Sequence, residues 1–558
     1  MRRALVGLLA TVASLGVGVA VASANMYSTT VPTDASAGDS PFAPGCGGQG
    51  EAFHTDSEIA PLNSPSTEVE PWFEVNPQNP QDLVGFWQQD RWNDGGSHGL
   101  VAGVSHDGGT SWSKTWPAFS NCAGGTPANG GGYERASDPW LSWSPRGPNG
   151  TFGTLHAISL SFDRSTAHNA VLASRSLDGG ATWKATKTLR EDNSNSGPLA
   201  NLFNDKESIT ADPVDTNNVY AVWDRIESPN NNPLTPPQAY ANALAFRGPA
   251  WFARSTNNGR SWEPARKIFA PEASRTQTIA NQIVVLPNGN LVDGFVYIKG
   301  SNGQGIGSGD NAAVIFSDDQ GDTWSSTPTI IANMGDRGVR DPEPVACPGD
   351  NTPATPCLLV RTGDIAPDFG VDYSGGPTNG YMYAVWQTHK SATVLGNPVD
   401  DTILLSRSTD GGHQWSTPVK VNQTPSDAYD PQAFTASVHV SNNGDVAVTY
   451  YDFRNDEPKD AALSTDYWVV HCHAATSDCT NGSSWTDEDE LTVDSERMPA
   501  PFDMRSAPYA SGYFTGDYEG LDNFGTTFTP FFVQATGTHS TPLTDAFYST
   551  AGPSTAGP

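Results

Sequence analysis

The sequence predicts an all-β fold, a β-propeller of four-stranded antiparallel blades, with seven blades preferred and six as the alternative. An octet of the form Ser-x-Asp/Asn-x-Gly-x-x-Trp recurs five times, at residues 105–112, 176–183, 255–262, 317–324 and 408–415. The starting serines lie 71, 79, 62 and 91 residues apart. These spacings exceed those of short helical repeats and fit a blade of four strands with loops of variable length.

Each octet has the composition of a hairpin turn. The Asp or Asn side chain accepts backbone N–H groups across the turn, and glycine supplies the positive φ that the turn needs. The third residue of the octet is therefore expected to be structural, at Asp107, Asp178, Asn257, Asp319 and Asp410. A stretched sixth copy runs from residue 477 to 485.

A second, weaker repeat lies upstream of each octet and predicts the first strand of each blade. Residues 70–77, 138–145 and 206–213 each begin with a charged residue and end in Pro, which puts Glu70, Asp138 and Lys206 in register. Further blade starts are expected at Ala280, Asp341, Asp430 and Asp517. Successive blade starts lie about 74 residues apart on average. A strand near residues 52–59 would complete the last blade and remove an open sheet edge.

The N-terminal residues predict export. Residues 1–24 carry Arg2 and Arg3, then an apolar run, then Ala-Ser-Ala, the pattern of a cleaved signal peptide. Residues 25–50 are predicted to be a linker, 51–550 the propeller and 551–558 a disordered tail. No later stretch is apolar enough to span a bilayer. The expected product is a secreted, extracellular monomer without membrane insertion.

Six cysteines in an exported chain predict disulfides. Short spacing favours local pairing of four of them, which leaves the other two to pair with each other. The expected pairs are Cys347 with Cys357, Cys472 with Cys479 and Cys46 with Cys122. A zinc site at Cys472 and its neighbouring histidines is disfavoured because no second pair of ligands lies close in the sequence.

The charge balance excludes some partners. The formal net charge is −31, from 61 acidic residues against 30 Lys and Arg. This argues against nucleic acid and against anionic membrane surfaces as partners, and it accounts for solubility outside the cell. An anionic substrate stays possible, since a local group of Arg side chains can hold one carboxylate.

The propeller prediction gathers charged residues at the mouth of a central channel, because the first strand of every blade lines that channel. Carboxylates there could supply a general acid with a base or nucleophile, or bind Ca²⁺, although no cofactor is required. The structural alternative is that Asp before Pro caps a loop. The catalytic candidates are Glu70, Asp90, Asp138, Glu207, Asp341, Asp430, Asp517 and Glu519. The substrate-binding candidates are Arg91, Arg135, Arg275, Arg340 and Tyr518.

The octet is the Asp-box, and the chain resembles the sialidase (neuraminidase) superfamily and other bacterial Asp-box (BNR) repeat proteins over nearly its whole mature length. The resemblance implies a propeller glycoside hydrolase with an acid/base Asp in the loop before the first box, where Asp90 stands. It also implies an arginine triad, for which Arg135, Arg275, Arg340 and Arg361 are candidates.

Two features depart from the family pattern. The Arg-Ile-Pro segment that carries the first triad arginine is absent, and residues 68–72 stand in its place. The family's nucleophilic Tyr also needs a nearby Glu. Tyr518 and Glu519 are adjacent, so on a strand they face opposite sides, and such a pair would have to form across blades.

Three functions follow from these patterns. The first is a secreted, sialidase-like glycoside hydrolase that acts on extracellular glycans through channel-mouth carboxylates. The alternative is a non-catalytic carbohydrate-binding or adhesion propeller, for which 16 Trp and 16 Tyr offer stacking surfaces. The third is a polysaccharide lyase, which needs a Tyr or His base and an Arg or metal to neutralise a uronate. The expected partner in each case is a glycan.

Overall fold

The computed structural model describes residues 27–46, 63–145, 153–193, 202–227, 247–271, 276–299, 309–335, 339–346, 356–364, 366–388, 393–394, 397–398, 401–459, 462–492, 500–536 and 544–553. These residues form an all-β fold of 36 strands and two short 3₁₀ turns, Gly482–Ser484 and Met504–Ser506, without an α-helix among them. None of their helical segments has the length and hydropathy of a membrane span.

The strands are β1 (Tyr27–Thr29), β2 (Thr33–Asp34), β3 (Asn63–Val75), β4 (Leu83–Trp92), β5 (Ser97–Ser105), β6 (Ser113–Thr115), β7 (Arg135–Trp143), β8 (Leu155–Phe162), β9 (Asn169–Ser176), β10 (Lys187–Asp192), β11 (Leu202–Ala211), β12 (Val219–Glu227), β13 (Ala250–Ser255), β14 (Arg266–Phe269), β15 (Thr276–Val285), β16 (Leu291–Lys299), β17 (Asp310–Ser317), β18 (Thr329–Asn333), β19 (Arg340–Ala346), β20 (Pro356–Arg361), β21 (Asp368–Val371), β22 (Met382–Gln387), β23 (Thr393–Val394), β24 (Asn397–Pro398), β25 (Ile403–Ser408), β26 (Val419–Lys420), β27 (Ala433–Val440), β28 (Val446–Asp452), β29 (Ser464–Cys472), β30 (Asp487–Glu490), β31 (Phe502–Asp503), β32 (Tyr513–Phe514), β33 (Gly520–Phe524), β34 (Thr527–Ala535), β35 (Thr544–Tyr548) and β36 (Ala551–Pro553).

Strands that follow one another in the chain pair in antiparallel groups. The clearest groups are β11 to β14 and β15 to β18, each a four-stranded sheet in chain order. Strands β3 to β6, β7 to β10 and β27 to β30 pair in the same way, and β21, β22, β25 and β26 form a further sheet. The last group starts with β33, β34 and β35.

The first strands of these groups contact one another in a closed series. β3 contacts β7, β7 contacts β11, β11 contacts β15, and β15 contacts β21. β21 then contacts β27, β27 contacts β33, and β33 contacts β3 again. The charged residues at the first strands therefore face a common interior.

The fifth group begins at a different place from the one predicted. Its first strand is β21, at Asp368, and Asp341 lies in β19, which belongs to a separate sheet with β20 and β32. The prediction of a blade start at Asp341 was therefore wrong. The long insert before β21 contains strands of its own. Its Asp-Pro sequence at residue 341 is the same as the one that begins the repeat segment at Asp138.

The two chain ends pair with each other. β1 pairs with β36 and β2 with β35, and Thr67 of β3 lies beside Thr544 of β35. Residues 27–46 of the predicted linker are thus partly β-structure, and residues 551–553 of the predicted tail are a strand. The closing strand predicted near residues 52–59 and the signal peptide, residues 1–24, lie outside the described residues.

The octets make turn contacts through their side chains. Asp178 accepts the backbone N–H of Thr182 at 2.9 Å and the hydroxyl of Ser176 at 2.7 Å. The Trp112 indole donates to the carbonyl of Gly109 at 3.1 Å. The Asp178 carboxylate and the Trp112 indole N–H are therefore engaged within their own turns.

Two of the three predicted disulfides are confirmed. Cys46 is bonded to Cys122 and Cys472 to Cys479. The first of them ties the N-terminal segment to the loop after β6, as expected. The predicted pair Cys347–Cys357 falls outside the described side chains.

Candidate active site

The first strands carry bulges at corresponding positions, which turn charged side chains toward the interior. The residue at each bulge has a left-handed backbone, with φ of 52° at Glu70, 54° at Asp138, 44° at Lys206, 55° at Ala280 and 46° at Thr435. The strand register shifts at each of these points. A left-handed non-glycine residue costs about 1–3 kcal/mol, and such strain concentrates at functional sites.

The left-handed bulge residue also locates the start of the sixth strand group, which begins with β27. The bulge residue on β27 is Thr435, and Asp430 precedes the strand. The alignment of Glu70, Asp138, Lys206 and Ala280 thus matches the structure, whereas Asp430 is offset from the common position.

Three of the aligned side chains meet at one ammonium group. Lys206 Nζ lies 3.1 Å from Glu70 Oε1, 3.2 Å from Asp138 Oδ1 and 2.7 Å from Asp517 Oδ2. Arg361 adds a two-pronged contact to Asp517, at 3.1 and 2.5 Å. All four residues around Nζ are at least nine-tenths buried. We call these five residues the Lys206 cluster.

Glu70 is the member of the Lys206 cluster whose carboxyl is held neutral. Burial raises the pKa of Glu70 to about 8; Lys206 opposes this shift, and the Asp517 and Asp138 carboxylates reinforce it. Gln88 also donates its side-chain amide to Glu70. A proton therefore stays on Glu70 at neutral pH.

The pKa of Asp517 is shifted in the opposite direction. Burial alone would raise its pKa, but Arg361 and Lys206 outweigh burial and hold the pKa of Asp517 well below its usual range. The same site thus holds one protonated and one ionised carboxyl group. Enzymes that need both an acid and a carboxylate arrange their pKa values in this way.

A phenyl ring separates two guanidinium groups beside the Lys206 cluster. The guanidinium carbon of Arg361 lies 4.3 Å from the Phe514 ring centroid, and that of Arg91 lies 5.2 Å from it. Arg91 also donates to Gln88 at 2.5 Å, and its charge acts on Glu70. The predicted substrate-binding residue Arg91 therefore lies at the site, but it is 3% exposed and supports Glu70 through Gln88.

Aromatic rings form one wall of the site. Trp72 stacks on Trp140 with centroids 3.4 Å apart, and Tyr518 lies edge-on to both at 6.0 and 5.2 Å. The Tyr518 hydroxyl donates to the Pro139 carbonyl at 3.0 Å, and burial raises its pKa. Tyr518 is thus a wall of the site whose hydroxyl is already engaged.

The cavity between this wall and the Lys206 cluster is narrow. It has a volume of about 30 Å³ and is lined by both tryptophans, Tyr518, Asp138, Lys206 and Glu207, among others. Ligand pockets usually measure about 300–1,000 Å³. The described residues therefore enclose room for about a water molecule at this point.

A second acidic group adjoins the cluster. Glu207 and Asp224 are 2% and 1% exposed, and none of their four carboxyl oxygens has a hydrogen-bond partner among the residues that the structure describes. Burial first, and then the charges of Asp138 and Asp205, raise the pKa of each. Their surroundings thus favour the protonated form of both carboxyls, and Glu207, a predicted catalytic residue, lines the cavity.

Asp90 and Arg135 form hydrogen bonds with segments around the site, outside the Lys206 cluster. Asp90 accepts the Ser66 backbone N–H at 2.7 Å and the Ser40 hydroxyl at 2.6 Å, with His98 Nδ1 at 3.0 Å. Arg135 donates to Asp94 at 2.7 Å and packs on Trp92. Both predicted site residues are therefore engaged away from the cluster.

Three further candidates lie together at the insert. Asp341 accepts two bonds from Arg505, at 2.6 and 2.8 Å, while burial raises the pKa of Asp430 to about 7. Gln432 links Asp430 to Arg340, the neighbour of Asp341 in the chain, because its amide donates to the Arg340 carbonyl and to Asp430. The structure thus groups Asp341, Asp430 and Arg340 with one another. Arg275 lies outside the described residues.

Glu519 faces away from Tyr518, as expected for adjacent strand residues. It is fully buried beside Tyr451, and it accepts the backbone N–H of Val533 at 3.1 Å. The Tyr451 hydroxyl donates to the Val533 carbonyl. A Tyr–Glu contact between strand groups therefore exists, but both side chains lie in the core.

Sequence reasoning missed some of the residues that form the site. Lys206 was placed in register but given no role, and the aromatic pair Trp72 and Trp140 was not singled out, although both follow the aligned position by two residues. Phe514 carried no signal because it comes from a segment without a repeat.

A metal-binding arrangement of carboxylates is not found among the described residues. The set of His, Cys, Asp and Glu atoms close enough to share an ion is Cys46, Cys122 and His98, and its two cysteines form a disulfide. The Ca²⁺ expectation therefore has no site assigned to it here.

Comparison with known proteins gives weak similarities only. No protein-family model and no curated protein matches the chain. Similar solved structures include the Fusarium graminearum α-L-arabinofuranosidase Arb93A, at 13% identity over 76% of this chain and 92% of that one, with a TM-score of 0.42. The Penicillium chrysogenum α-L-arabinanase shows 13% identity, 76% and 94% coverage and a TM-score of 0.44. A Hadza microbial sialidase shows 13% identity, 84% and 76% coverage and a TM-score of 0.42. At these values the similarities carry no argument about activity.

Proposed function

We propose that the protein is a secreted glycoside hydrolase with a seven-bladed β-propeller fold, which acts on extracellular glycans at the Lys206 cluster. The closed series of contacts among the seven first strands supports the propeller. Two disulfides support a location outside the cell.

The observation that carries the proposal is the contact of two buried carboxyl groups, those of Glu70 and Asp517, with a single ammonium group at 3.1 and 2.7 Å. Their surroundings shift the two pKa values in opposite directions. Glycoside hydrolysis needs one carboxylic acid to protonate the leaving oxygen and one carboxylate to act as nucleophile or base. Glu70, with a pKa raised to about 8, fits the acid. Asp517, which Arg361 and Lys206 keep ionised, fits the carboxylate.

The short spacing of the pair favours a retaining reaction. Glu70 and Asp517 lie 3.1 and 2.7 Å from the same nitrogen, so their contacting oxygens are nearer than the roughly 6.5–9.5 Å that an inverting enzyme leaves for a water molecule. Asp517 would attack the anomeric carbon while Glu70 protonates the glycosidic oxygen, so the glycosidic bond breaks and the alcohol leaves. Glu70 would then accept a proton from a water molecule that displaces Asp517 from the sugar. Trp72 and Trp140 provide an apolar face for the sugar ring.

Substrate entry requires the cover of the cluster to move, because the cavity measures about 30 Å³. Phe514 packs against both Arg361 and Arg91, and we infer that its displacement would open the side of the cluster where these guanidinium groups lie. Its segment is held by the bond from the Glu70 backbone N–H to the Thr515 carbonyl, at 2.9 Å.

The test is incubation of the mature protein with sialylated, uronate-containing and neutral glycans, with products identified by mass spectrometry. We expect one class to release a monosaccharide with retained anomeric configuration. Release of sialic acid would assign the sialidase activity; release of another sugar would assign a different glycosidase. An unsaturated product would indicate a lyase and contradict the proposal.

A non-catalytic carbohydrate-binding propeller is the second candidate, and the narrowness of the cavity favours it. If the cavity of about 30 Å³ does not widen, no sugar reaches Glu70. Binding of a glycan without any product, in the same experiment, would decide for this alternative.

A further inference from the structure

A basic pocket lies away from the Lys206 cluster, between the sheet of β7 to β10 and that of β11 to β14. Its volume is about 290 Å³. The lining residues that matter here are Arg175, Lys184, Lys187, Arg260, His156 and Trp262. The first four are cations, in a chain with twice as many acidic as basic residues.

No ion pair within 4 Å neutralises these cations in the described part of the chain, although the charge of Lys184 acts on the Asp178 carboxylate. None of the ion pairs among the described residues includes Arg175, Lys184, Lys187 or Arg260. Burial first, and then the like charge of Arg260, lower the pKa of Arg175. Arg175 is partly buried, and the other three cations are exposed to solvent. Their grouping around one cavity produces a local positive potential that attracts anions.

In the neighbouring sheet, the arginine that corresponds to Arg175 is Arg254, and two carboxylates neutralise its charge. Arg254 precedes the third octet as Arg175 precedes the second. It lies 3.0 Å from Glu263 and 2.8 Å from Asp322. Glu263 follows the octet Trp, and Asp322 is the sixth residue of the next octet.

The corresponding residues around Arg175 have the opposite charge. Lys184 follows the octet Trp and donates its backbone N–H to the Arg175 carbonyl at 2.8 Å, as Glu263 does to that of Arg254 at 2.8 Å. Arg260 is the sixth residue of the next octet. Two carboxylates at one position are therefore replaced by two cations at the other. A third such arginine, Arg407, is again paired with an acid, Asp478, at 2.9 Å.

We propose that this pocket binds an oxyanion, a carboxylate, sulfate or phosphate group carried by a small ligand. Arg175 and Arg260 supply the guanidinium donors that suit such groups, and Lys184 and Lys187 add charge. His156 contributes no charge, because burial lowers its pKa to about 3. The Trp262 ring offers an apolar face for the body of the ligand. The volume suits a ligand the size of an acidic monosaccharide.

Calorimetric titration of the mature protein at low ionic strength tests the proposal with three probes, inorganic sulfate, inorganic phosphate and glucuronate. We expect saturable binding of at least one probe, weakened by added NaCl. Tightest binding of glucuronate would indicate an acidic sugar as the ligand; binding of the inorganic ions alone would indicate a free anion. Absence of saturable binding for all three would overturn the proposal.

The double variant K184E/R260D provides the sharper test, because it restores the acidic pair seen around Arg254. We expect it to lose at least tenfold in anion affinity and to have a raised Tm, since Arg175 gains two carboxylate partners. The variant K267E/K299E, which changes the net charge equally away from the pocket, should keep its affinity. Equal affinity in K184E/R260D and the unchanged protein would contradict the proposed site.

Discussion

Replacing Glu70 with Gln is expected to lower kcat by about 10²–10⁴-fold on the substrate that the glycan panel identifies, because the proton donor of the reaction is lost. The fold should persist near pH 6. Glutamine has the shape of the neutral carboxyl that burial maintains at Glu70, and Gln88 can still bond to it. KM should change little, since the lost interaction acts in the transition state.

The matched control for E70Q is E68Q. Glu68 is also fully buried on β3, and burial also raises its pKa, but its bond is to Gln89 at 2.7 Å, outside the Lys206 cluster. E68Q should retain its kcat. If E70Q were as active as the unchanged protein, Glu70 would not be the acid.

Replacing Lys206 with Met is expected to destabilise the fold by about 3–5 kcal/mol, because it leaves buried carboxylates without their cation. Glu70, Asp138 and Asp517 would then lose their shared ammonium partner, while Arg361 would still pair with Asp517. The free energy of unfolding from urea titration measures this loss. In the double variant K206M/D138N, removal of one carboxylate should restore part of it.

Lys267 is the corresponding control at the surface. Its ammonium pairs with Glu227 at 2.7 Å, but the side chain is 42% exposed. K267M should cost less than about 1 kcal/mol, since exposed pairs contribute little. Equal unfolding free energies for K206M and K267M would show that the cluster does not hold the first strands together.

The part of the site that follows the repeat could be predicted from sequence. Glu70, Asp138 and Lys206 share a register because each opens the same segment, and the structure gives all three the same left-handed bulge. Asp341 shows the limit of that reasoning. It also precedes Pro, but its segment is an insert, and a short motif cannot distinguish an insert from a blade start.

The contacts within the site could not be predicted, because they depend on distances between segments far apart in the chain. Lys206 and Asp517 are 311 residues apart, and Arg361 and Asp517 are 156 apart. Which of several carboxyls carries a proton depends on burial and on these neighbours. The roles of the charged residues near the ends of the second strands, Asp90 on β4 and Asp224 on β12, were equally ambiguous from sequence. Asp90 contacts His98, whereas the Asp224 carboxyl has no hydrogen-bond partner in the described part of the chain.

The most direct test of the Lys206 cluster as an acid–carboxylate pair is an infrared titration of the unchanged protein against E70Q. The difference spectrum isolates the Glu70 carboxyl from the other buried acids. We expect the carbonyl stretch of a protonated carboxyl at pH 6, lost with a midpoint near pH 8, because burial raises the pKa of Glu70 to about 8. A Glu70 that is already ionised at pH 6, with a midpoint near the ordinary value of about 4.3, would contradict its role as the acid.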